Sequence, residues 1–597
     1  MKDVERVSPL PALRDAAWFA LAAGLLEAAL LLAHGRLIHG FIYLSPHLVW
    51  MAPLSNLAWF GIPVASILLL SRVAPRLGTM RATWGICLFL AALSILLLPS
   101  QLHWIAAVGL ALGIAIQGTR ILLARRTGFD RLVRRTLPLL VAGVLVAAMA
   151  TIAWGTIRER RQARLIGHAR EGAPNIIFIV LDTVRRASLS LYGYNRPTTP
   201  GLERWAKRGV LFQHAFSTAS WTLPSHASMF SGRFPNEMSA AWLTPLDDKQ
   251  PLLAERLRDS GYLTAGFVAN LLYCNREFGL ARGFVHYEDY QITPGEFLVN
   301  SSLGRALSES HFLRRVTGWY DIAGRKPGRK VTDQFLAWRE ANGTRPYFAF
   351  LNYFDAHQPY FPPPELASRF GPTEGRNYDL LELRPYMGKI EDAAEKLTPT
   401  QVAAERNSYD ATLAYLDQEL DRLLTTLDQD GSLKNTIIVI ASDHGEQFGE
   451  HGLFDHGNSL YRFTTEVPLI ILGNSLPRAV VDNPVSLRDL PATLLDLSGS
   501  DGRLPGESLR PWWTAGARPI TGPVISETAG PSPKRRFQAT VSGGFHAIWS
   551  LDSVELYDFS RDSAEMTNLA TTPSGIARLG QLRASLDSAI GSMGKPR

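Results

Sequence analysis

Residues 175–182 read NIIFIVLD, a continuous run of β-branched and aromatic side chains that ends in an aspartate. A run of this length without a polar face is typical of a central strand that is buried on both sides. Two later runs have the same form, YFAFLNYF at 347–354 and NTIIVIAS at 435–442. Helical patterns separate the three runs, and this alternation predicts an α/β domain built on a parallel-type sheet.

Polar residues follow each of these runs, namely Asp182, then Asp355 and His357, then Asp443 and His444. In open α/β sheets, ligands collect beyond the carboxyl ends of the strands. Taken singly, such an aspartate is often only a helix cap, and such a histidine often only satisfies a buried hydrogen bond. Together they predict a metal site, because aspartate and histidine are suitable ligands for Zn²⁺, Mn²⁺ and related ions.

A second stretch, STASWTLPSHASMFSGRFP at 217–235, carries seven hydroxyl side chains. Most of them have a plain interpretation, since Ser and Thr favour turns and helix N-caps. Pro224 signals a helix start, so Thr222 is predicted at or just before a helix N-terminus, where backbone N–H groups bind anions. A hydroxyl at that position, beside a divalent cation, can ionise and attack an ester of phosphorus or sulfur.

The first part of the chain is apolar and basic. Residues 1–170 carry 18 Lys and Arg against 6 Asp and Glu, whereas the remainder has a small acidic excess. We see no basic stripe interleaved with aromatic residues beyond this part, so the charge predicts membrane topology and no nucleic-acid partner. The chain has only two cysteines, Cys87 and Cys274, so a disulfide framework does not hold the fold together and a thiolate metal cluster is excluded.

Five apolar segments approach the roughly 20 residues that a bilayer core requires. They lie at 16–34, 48–71, 82–99, 104–124 and 137–155. We therefore expect an all-α transmembrane domain over residues 1–155 and a linker over 156–174. Glu27 lies inside the first segment, where a carboxyl is compatible with a lipid or ion site and equally with a side chain that faces the bundle interior or the interface.

The arginines of the connecting loops predict the orientation of these segments. Loop 72–81 carries Arg72, Arg76 and Arg81, and loop 125–135 carries five arginines, whereas loops 35–47 and 100–103 carry one and none. This pattern places the basic loops in the cytoplasm and the C-terminal part outside it, in a cell inner or plasma membrane. The basic run RERRQARLIGHAR, at 158–170, favours the opposite orientation.

Six motifs of the C-terminal part resemble the sulfatase family of the alkaline phosphatase superfamily, and they occur in the family's order between about 174 and 570. They are NIIFIVLDTVR, LYGYNRPTTPGLERWAKRGVLFQHAFSTASWTLPSHASMFSG, LRDSGYLTAGFVAN, PYFAFLNYFDAHQPYFPP, IASDHGEQFGEHGLFDHGNSLY and VELYDFSRDSAEMTNLA. The resemblance implies an alkaline-phosphatase-like mixed sheet sandwiched by helices over 175–519, followed by a small C-terminal α+β subdomain with antiparallel strands over 520–597.

The resemblance also implies roles for particular residues. One divalent ion (Zn, Mn or Ca) would be bound by Asp182, Thr222, Asp443 and His444, with Thr222 as the nucleophile. His357 and His456 would contact the transferred group or protonate a leaving group, and His226 and Asn270 would approach the substrate. Glu446, Glu450 and His451 fall in the same loop as structural or supporting residues.

The nucleophile motif departs from the family pattern. Sulfatases typically carry Cys or Ser in a C/S-x-P-S-R motif and convert it to formylglycine, whereas this chain has Thr222-Leu223-Pro224-Ser225-His226. Threonine cannot become that aldehyde, so no formylglycine is expected. The set of Asp, Thr, Asp and His is similar to that of the membrane phosphoethanolamine, glycerophosphate and lipoteichoic acid-type transferases, which also have five spans. The motifs YGYNRPTTPGL and ELYDFSRD are more like ordinary sulfatases.

Three functions follow from these patterns. The first is a membrane-anchored hydrolase or transferase that acts on phosphate esters through Thr222. The second is a sulfuric ester hydrolase that uses Thr222 without formylglycine, and the third is an inactive sulfatase-like domain that serves as a membrane-tethered binding or scaffold protein. The expected partners are the lipid bilayer and a phosphate or sulfate ester, such as a lipid headgroup or an envelope glycan.

Overall fold

The computed structural model describes residues 8–37, 45–74, 78–99, 101–290, 292–317, 321, 325–373, 397–517, 522–529 and 536–590. The chain divides into two compact units. We call residues 1–161 and 290–324 the helical unit, and residues 162–289 and 325–597 the sheet unit. Residues 290–324, which we call the inserted segment, therefore belong to the helical unit although they lie within the C-terminal part of the sequence.

The described α-helices and β-strands are numbered in chain order. The helices are α1 Pro9–Leu37, α2 Leu48–Leu70, α3 Met80–Leu96, α4 Trp104–Ala124, α5 Arg126–Leu165, α6 Pro200–Ala206, α7 Thr222–Ser231, α8 Leu253–Asp259, α9 Pro294–Val299, α10 Ser302–Ser308, α11 His311–Thr317, α12 Gly328–Asn342, α13 Pro399–Gln429, α14 Arg462–Thr465, α15 Leu490–Ser498 and α16 Pro573–Ile590. The strands are β1 Asn175–Leu181, β2 Gly209–Phe216, β3 Leu263–Val268, β4 His286–Glu288, β5 Tyr347–Tyr353, β6 Thr436–Ser442, β7 Gln447–Phe448, β8 Phe454–Asp455, β9 Glu466–Leu472, β10 Ala479–Val481, β11 Val485–Ser486, β12 Val524–Ala529, β13 Arg536–Ser542, β14 Phe545–Trp549 and β15 Val554–Asp558.

The helical unit contains four helices that are long and apolar enough to cross a membrane, α1, α2, α4 and α5. The third apolar segment, 82–99, falls on α3, which is apolar but only 17 residues long. Large apolar side chains of α5 point away from the protein, and Leu139, Met149 and Trp154 are each more than 60% exposed (70%, 64% and 69%). Such a surface is compatible with membrane anchoring. Arg76 lies outside the described residues.

The sheet unit is built on a nine-stranded sheet in which β1 lies between β5 and β6. The order is β10-β2-β9-β6-β1-β5-β3-β4, with β11 also paired to β2. Strands β1, β3, β4, β5 and β6 are parallel, whereas β9 pairs antiparallel with both β2 and β6. The mixed sheet implied by the family resemblance is therefore confirmed. The three strands expected from the runs are parallel to one another, and β9 is antiparallel to its neighbours.

The end of the chain forms a separate four-stranded antiparallel sheet, β12-β13-β14-β15. Helix α16 packs against this sheet, and Leu582 and Leu586 join Ile525 and Leu556 in an apolar cluster. Each of these four side chains is at most 2% exposed, so helix and sheet share one core.

The burial of Lys326, in the sheet unit, is expected to make the stability of the protein depend on pH. Its Nζ donates to the carbonyl oxygen of Glu288 at 3.1 Å, and burial lowers its pKa to about 8, although Glu288 and Asp289 oppose the shift. The folded-state pKa lies below the unfolded-state value of 10.5. The folded protein therefore loses the lysine proton first, and the free energy of unfolding rises between about pH 8 and pH 10.5.

We expect Lys326→Met to have a smaller rise in thermal stability over this alkaline range than the unaltered chain. Thermal unfolding of both full-length proteins in the same detergent, across that range, measures the difference. An identical pH dependence in the two proteins would contradict the buried-lysine account.

Candidate active site

Four strands of the main sheet deliver polar side chains to one edge. Asp182 follows β1, Asn270 closely follows β3, His357 lies in the turn after β5, and Asp443 and His444 follow β6. Because these strands are parallel, their carboxyl ends share one edge of the sheet. One ligand atom each from Asp182, Asp443 and His444 lies within 4.8 Å of the other two, so the three residues form a buried cluster that could hold a metal ion.

Thr222 is the first residue of helix α7 and borders this cluster. Its Oγ1 lies 3.2 Å from Nε2 of His444, and the residue is only 1% exposed. Trp221 is the N-cap in an extended conformation, so the helix begins at the predicted position. The first turn of a helix presents unpaired N–H groups and a positive dipole end, and a phosphate or sulfate group can bind there.

His444 has the tautomer of a metal ligand. Its Nδ1 lies 3.0 Å from the carbonyl oxygen of Gly445, which can only accept a hydrogen bond, so the proton is on Nδ1. Nε2 is therefore unprotonated, and it lies 3.4 Å from Oδ2 of Asp443. Burial is the main cause that lowers the pKa of His444 well below its ordinary value, with His456 as a further cause. A neutral imidazole with a carbonyl partner on its second nitrogen is the usual form of a metal-bound histidine.

The two aspartates are held in place by one oxygen each. Oδ1 of Asp443 accepts the backbone N–H groups of Thr183 (3.2 Å) and His444 (2.8 Å), and Oδ2 of Asp182 accepts Nδ2 of Asn270 at 2.7 Å. The second oxygens, Oδ1 of Asp182 and Oδ2 of Asp443, are buried and have no hydrogen-bond donor among the described residues. Two such oxygens beside an unprotonated imidazole nitrogen fit a divalent cation.

The electrostatics of the pair lead to the same conclusion. Burial raises the pKa of Asp182 to about 7. Burial, and then the neighbouring Asp182, raise the pKa of Asp443 well above its ordinary value. Two desolvated carboxyl groups this close together resist ionising at the same time unless a positive charge lies between them. The residues present therefore suit a bound metal ion.

Thr183, the residue after Asp182, adopts a strained backbone conformation with φ of 59°. A β-branched residue rarely occupies this region, and such residues often mark functional sites. The turn directs the Thr183 N–H to Asp443, while the Thr183 carbonyl accepts the hydroxyl of Tyr409 at 2.8 Å. The turn at Thr183, through its hydrogen bond to Asp443, therefore connects the ends of β1 and β6.

Asn270 and His226 both support the metal-site residues. Asn270 is fully buried, and it bonds Asp182 through its amide nitrogen while its oxygen accepts the N–H groups of Leu272 and Tyr273. His226 is also fully buried, and its Nδ1 lies 2.9 Å from the carbonyl oxygen of Thr222 and 3.5 Å from Oδ2 of Asp443. Burial lowers the pKa of His226 to about 4. Substrate contact by these two residues stays a prediction, because the contacts described here are with protein groups.

His456 and His357 lie beside the metal cluster. The ring centroid of His456 is 4.4 Å from that of His444 and 5.2 Å from that of His357. Nδ1 of His456 lies 2.9 Å from Asp455 and 3.2 Å from Glu446. Burial disfavours the imidazolium form, but the two carboxylates outweigh it and raise the pKa of His456 to about 10. His456 therefore supplies a buried positive charge next to the cluster.

Asp455 is a residue that sequence reasoning missed. It contacts the histidine that follows it, and its φ of 68° turns the chain so that carboxylate and imidazole meet. The only signal in the sequence was its adjacency to His456, which by itself is uninformative. Glu446, in contrast, was expected in a supporting role, and it contacts His456 and accepts the hydroxyl of Tyr360 at 2.9 Å.

The loop that carries His456 is fixed by Arg185, which is fully buried. Its guanidinium donates to the carbonyl oxygen of Glu446 and, at 2.8 Å, to Glu450, and it lies 4.9 Å from the ring centroid of Phe448. A planar cation with two oxygen partners and an aromatic face holds a defined geometry. His451, in the same loop, stacks on Tyr461 with ring centroids 3.7 Å apart.

Aromatic rings surround Trp221, the residue before Thr222. Trp221 stacks on Trp242 with ring centroids 3.5 Å apart, and Tyr273 contacts it edge-on at 5.2 Å. Gly457 has a φ of 74°, and a Cβ atom there would lie 2.5 Å from Trp221 and 3.0 Å from Trp242. Glycine is required at this position because the tryptophan pair occupies the space of a side chain.

We expect Gly457→Ala to lower both thermal stability and turnover. The left-handed conformation costs an alanine about 1–2 kcal/mol, and the added methyl group must also displace the indole ring that adjoins Thr222. Gly516→Ala is the matched control, because Gly516 has the same φ of 74° but no atom near its Cβ position. Equal losses in the two variants, measured by thermal unfolding and ester turnover, would rule out the packing role of Gly457.

This arrangement defines a hydrolase-type site on an alkaline-phosphatase-like sheet, and comparisons with known proteins identify its family. Residues 174–500 match the family model described as Sulfatase, which is more than half of the chain. The chain therefore belongs to the sulfatase family, and it is an ester hydrolase by that membership.

Individual relatives are distant. The chain is 25% identical over 447 residues to a choline-sulfatase of Rhizobium meliloti (strain 1021), covering 68% of this chain and 84% of the relative. A phosphonate monoester hydrolase from Silicibacter pomeroyi has 23% identity and a TM-score of 0.55, covering 69% of this chain and 94% of that chain. A structure solved with its substrate D-glucosamine-2-N,6-O-disulfate has 21% identity and a TM-score of 0.56, covering 70% and 97%. The two structural neighbours confirm the fold.

Proposed function

We propose that this protein is a membrane-anchored, metal-dependent sulfatase-family enzyme that transfers or hydrolyses phosphate esters through Thr222. The observation that carries the proposal is the contact between the Thr222 hydroxyl and His444, at the edge of a buried Asp-Asp-His cluster. A threonine cannot be converted to formylglycine, so this oxygen itself would be the nucleophile.

Asp182, Asp443 and His444 would hold the cation, together with Thr222. When bound, the ion would lower the pKa of the threonine hydroxyl and neutralise charge on the ester oxygens. The N–H groups at the start of α7 would face the same oxygens.

The reaction would run in two displacements at phosphorus. Thr222, with its hydroxyl already ionised, would form a bond from Oγ1 to phosphorus while the bond to the leaving oxygen breaks, and a protonated His357 would give its proton to that oxygen. His456, held as an imidazolium by Asp455 and Glu446, neutralises charge on the ester. Water or an acceptor alcohol then attacks the phosphothreonine, loses its proton to the now neutral His357, and releases Thr222.

A sulfuric ester hydrolase is the second candidate, and the choline-sulfatase relative favours it. In that case Thr222 would attack sulfur in the same geometry, without formylglycine. A phosphate ester suits the site better because the unconvertible nucleophile lacks the aldehyde on which formylglycine sulfatases depend.

For the location of the enzyme, we infer five membrane spans, including the short α3, in an inner or plasma membrane. The arginines between α2 and α3, and those of residues 125–135 at the start of α5, would then lie in the cytoplasm and the sheet unit outside it. A lipid headgroup or an envelope glycan is the ester class within reach of such a site.

Purified full-length protein, tested with Mn²⁺ or Zn²⁺ on aryl phosphate monoesters, phosphate diesters and sulfates, distinguishes the candidates. We expect turnover of a phosphate ester that is lost when a chelator removes the metal. Metal-dependent turnover of sulfate alone would support the second candidate, and a protein that binds no stoichiometric metal would support an inactive scaffold.

A further inference from the structure

The inserted segment has an unexpected position for a stretch of sequence between β4 and α12. It carries α9, α10 and α11, and it forms part of the helical unit together with the apolar helices. Leu303 at the start of α10 is 6% exposed and belongs to the apolar cluster of the helical unit that also includes Phe60. The segment is thus embedded among helices that the sequence predicts to lie in a membrane.

Glu27, the carboxyl inside the first apolar helix, fastens this segment. It is fully buried, and its Oε1 accepts the backbone N–H of Ser302 at 2.5 Å. Arg305 lies 3.8 Å from the same oxygen, and Nδ2 of Asn56 lies 3.5 Å from Oε2. A buried carboxylate among apolar helices is expensive unless it is paired, so Glu27 is best explained as the anchor of α10.

Two hydroxyl contacts complete the attachment. Ser301 meets Ser55 of α2 through their hydroxyl oxygens at 2.9 Å, and Ser302 donates to the carbonyl oxygen of Ser94, in the last turn of α3, at 2.6 Å. The attachment therefore uses the C-terminal half of α1, the N-terminal half of α2 and the C-terminal end of α3. If successive helices cross the membrane in alternating directions, these three regions lie towards the same side of the membrane.

Helix α11 then presents an apolar face. Phe312 is 71% exposed and Val316 is 68% exposed. Residues four apart lie on the same side of a helix, so the two side chains form one surface. Leu307 of α10, at 38% exposure, adds a third apolar side chain to the segment.

The charge of this region favours one class of partner. Arg305 lies beside Glu27, and the remaining residues 306–317 contain two arginines, Arg314 and Arg315, and a single acidic residue, Glu309. Exposed apolar side chains next to arginines are the pattern of an element that lies in the headgroup region of a bilayer.

We propose that α10 and α11 form an interfacial membrane element, fastened by Glu27, whose Phe312 and Val316 insert into an anionic lipid surface. The proposal requires the apolar helices of the same unit to lie in the membrane, and it is independent of the reaction at Thr222. Residues 290–324, which connect the two parts of the sheet unit (162–289 and 325–597), would then include a lipid-bound segment.

Fluorescence quenching tests this placement. Cys87 and Cys274 are buried, so a thiol-reactive environment-sensitive dye can be attached to Phe312→Cys or Val316→Cys in the full chain, with the unaltered protein as the labelling blank. The proteins are placed in vesicles of phosphatidylethanolamine and phosphatidylglycerol that contain brominated acyl chains. Leu551→Cys is the matched control, since Leu551 is 54% exposed in the connection between β14 and β15 of the C-terminal sheet.

We expect the dye at 312 and 316 to lose roughly half of its emission to brominated lipid, as an interfacial depth predicts, with little loss at 551. The loss should be smaller when the vesicles contain no anionic lipid. Blue-shifted emission that bromine does not quench, together with energy transfer between labelled copies, would instead make the surface a contact between two copies and overturn the proposal. Water-like emission at both positions would overturn it as well.

Discussion

Thr222→Ala is expected to abolish turnover of the ester substrate. Removing a nucleophile that acts together with its neighbours typically costs about 10³- to 10⁶-fold in kcat. The loss should be at the high end here, because the same oxygen is predicted to bind the metal ion. The measurement is kcat of the purified full-length variant with the unaltered protein's preferred ester.

Two further variants make this result specific. Thr222→Ser keeps an oxygen nucleophile and should retain more turnover than Thr222→Ala. Ser231→Ala removes a hydroxyl from the other end of α7, where it donates to the carbonyl oxygen of Ala227 at 2.7 Å, and turnover should stay near that of the unaltered protein. Full activity in Thr222→Ala would show that another group attacks the ester.

Asp443→Asn is expected to remove metal-dependent stabilisation. A ligand present at about 100 times its Kd stabilises a protein by about 2.7 kcal/mol, so the melting temperature of the unaltered protein should rise when Mn²⁺ or Zn²⁺ is added after chelation. Asparagine keeps the size of Asp443 but removes the negative charge that the cation needs. Thermal unfolding across a metal titration should show no such rise for this variant, and turnover should fall with it.

Asp417→Asn is the control for this result. Asp417 is another buried carboxylate, which accepts the backbone N–H groups of Gly201 and Leu202. Its variant should unfold at a lower temperature at every metal concentration while keeping the metal-dependent rise. If Asp443→Asn kept the rise too, the metal would be bound elsewhere.

The strand ends were the part of the site most accessible to prediction. NIIFIVLD, YFAFLNYF and NTIIVIAS have no polar face, so their places in a buried sheet follow from composition, and the residues behind them share an edge because the strands are parallel. The antiparallel direction of β9 was not predictable in this way, since a short buried run reads the same in either direction.

Other features depend on contacts between distant parts of the chain. Asp455 contacts His456 because Asp455 adopts a left-handed turn conformation, which no periodic pattern in the sequence signals. Asn270 faces Asp182 across the one intervening strand, β5, so its role as a support required the pairing of β3, β5 and β1. The attachment of the inserted segment to Glu27 joins residues separated by 275 positions, and local sequence cannot specify such a contact.

The central claim is that Thr222 forms a covalent bond to the transferred phosphoryl group. Rapid acid quenching during turnover, followed by peptide mass spectrometry, measures this most directly. We expect a phosphoryl or phospho-headgroup mass on the peptide that contains Thr222, and no such mass after chelation of the metal. An adduct on a different residue, or a sulfate on Thr222 without any phosphoryl adduct, would contradict it.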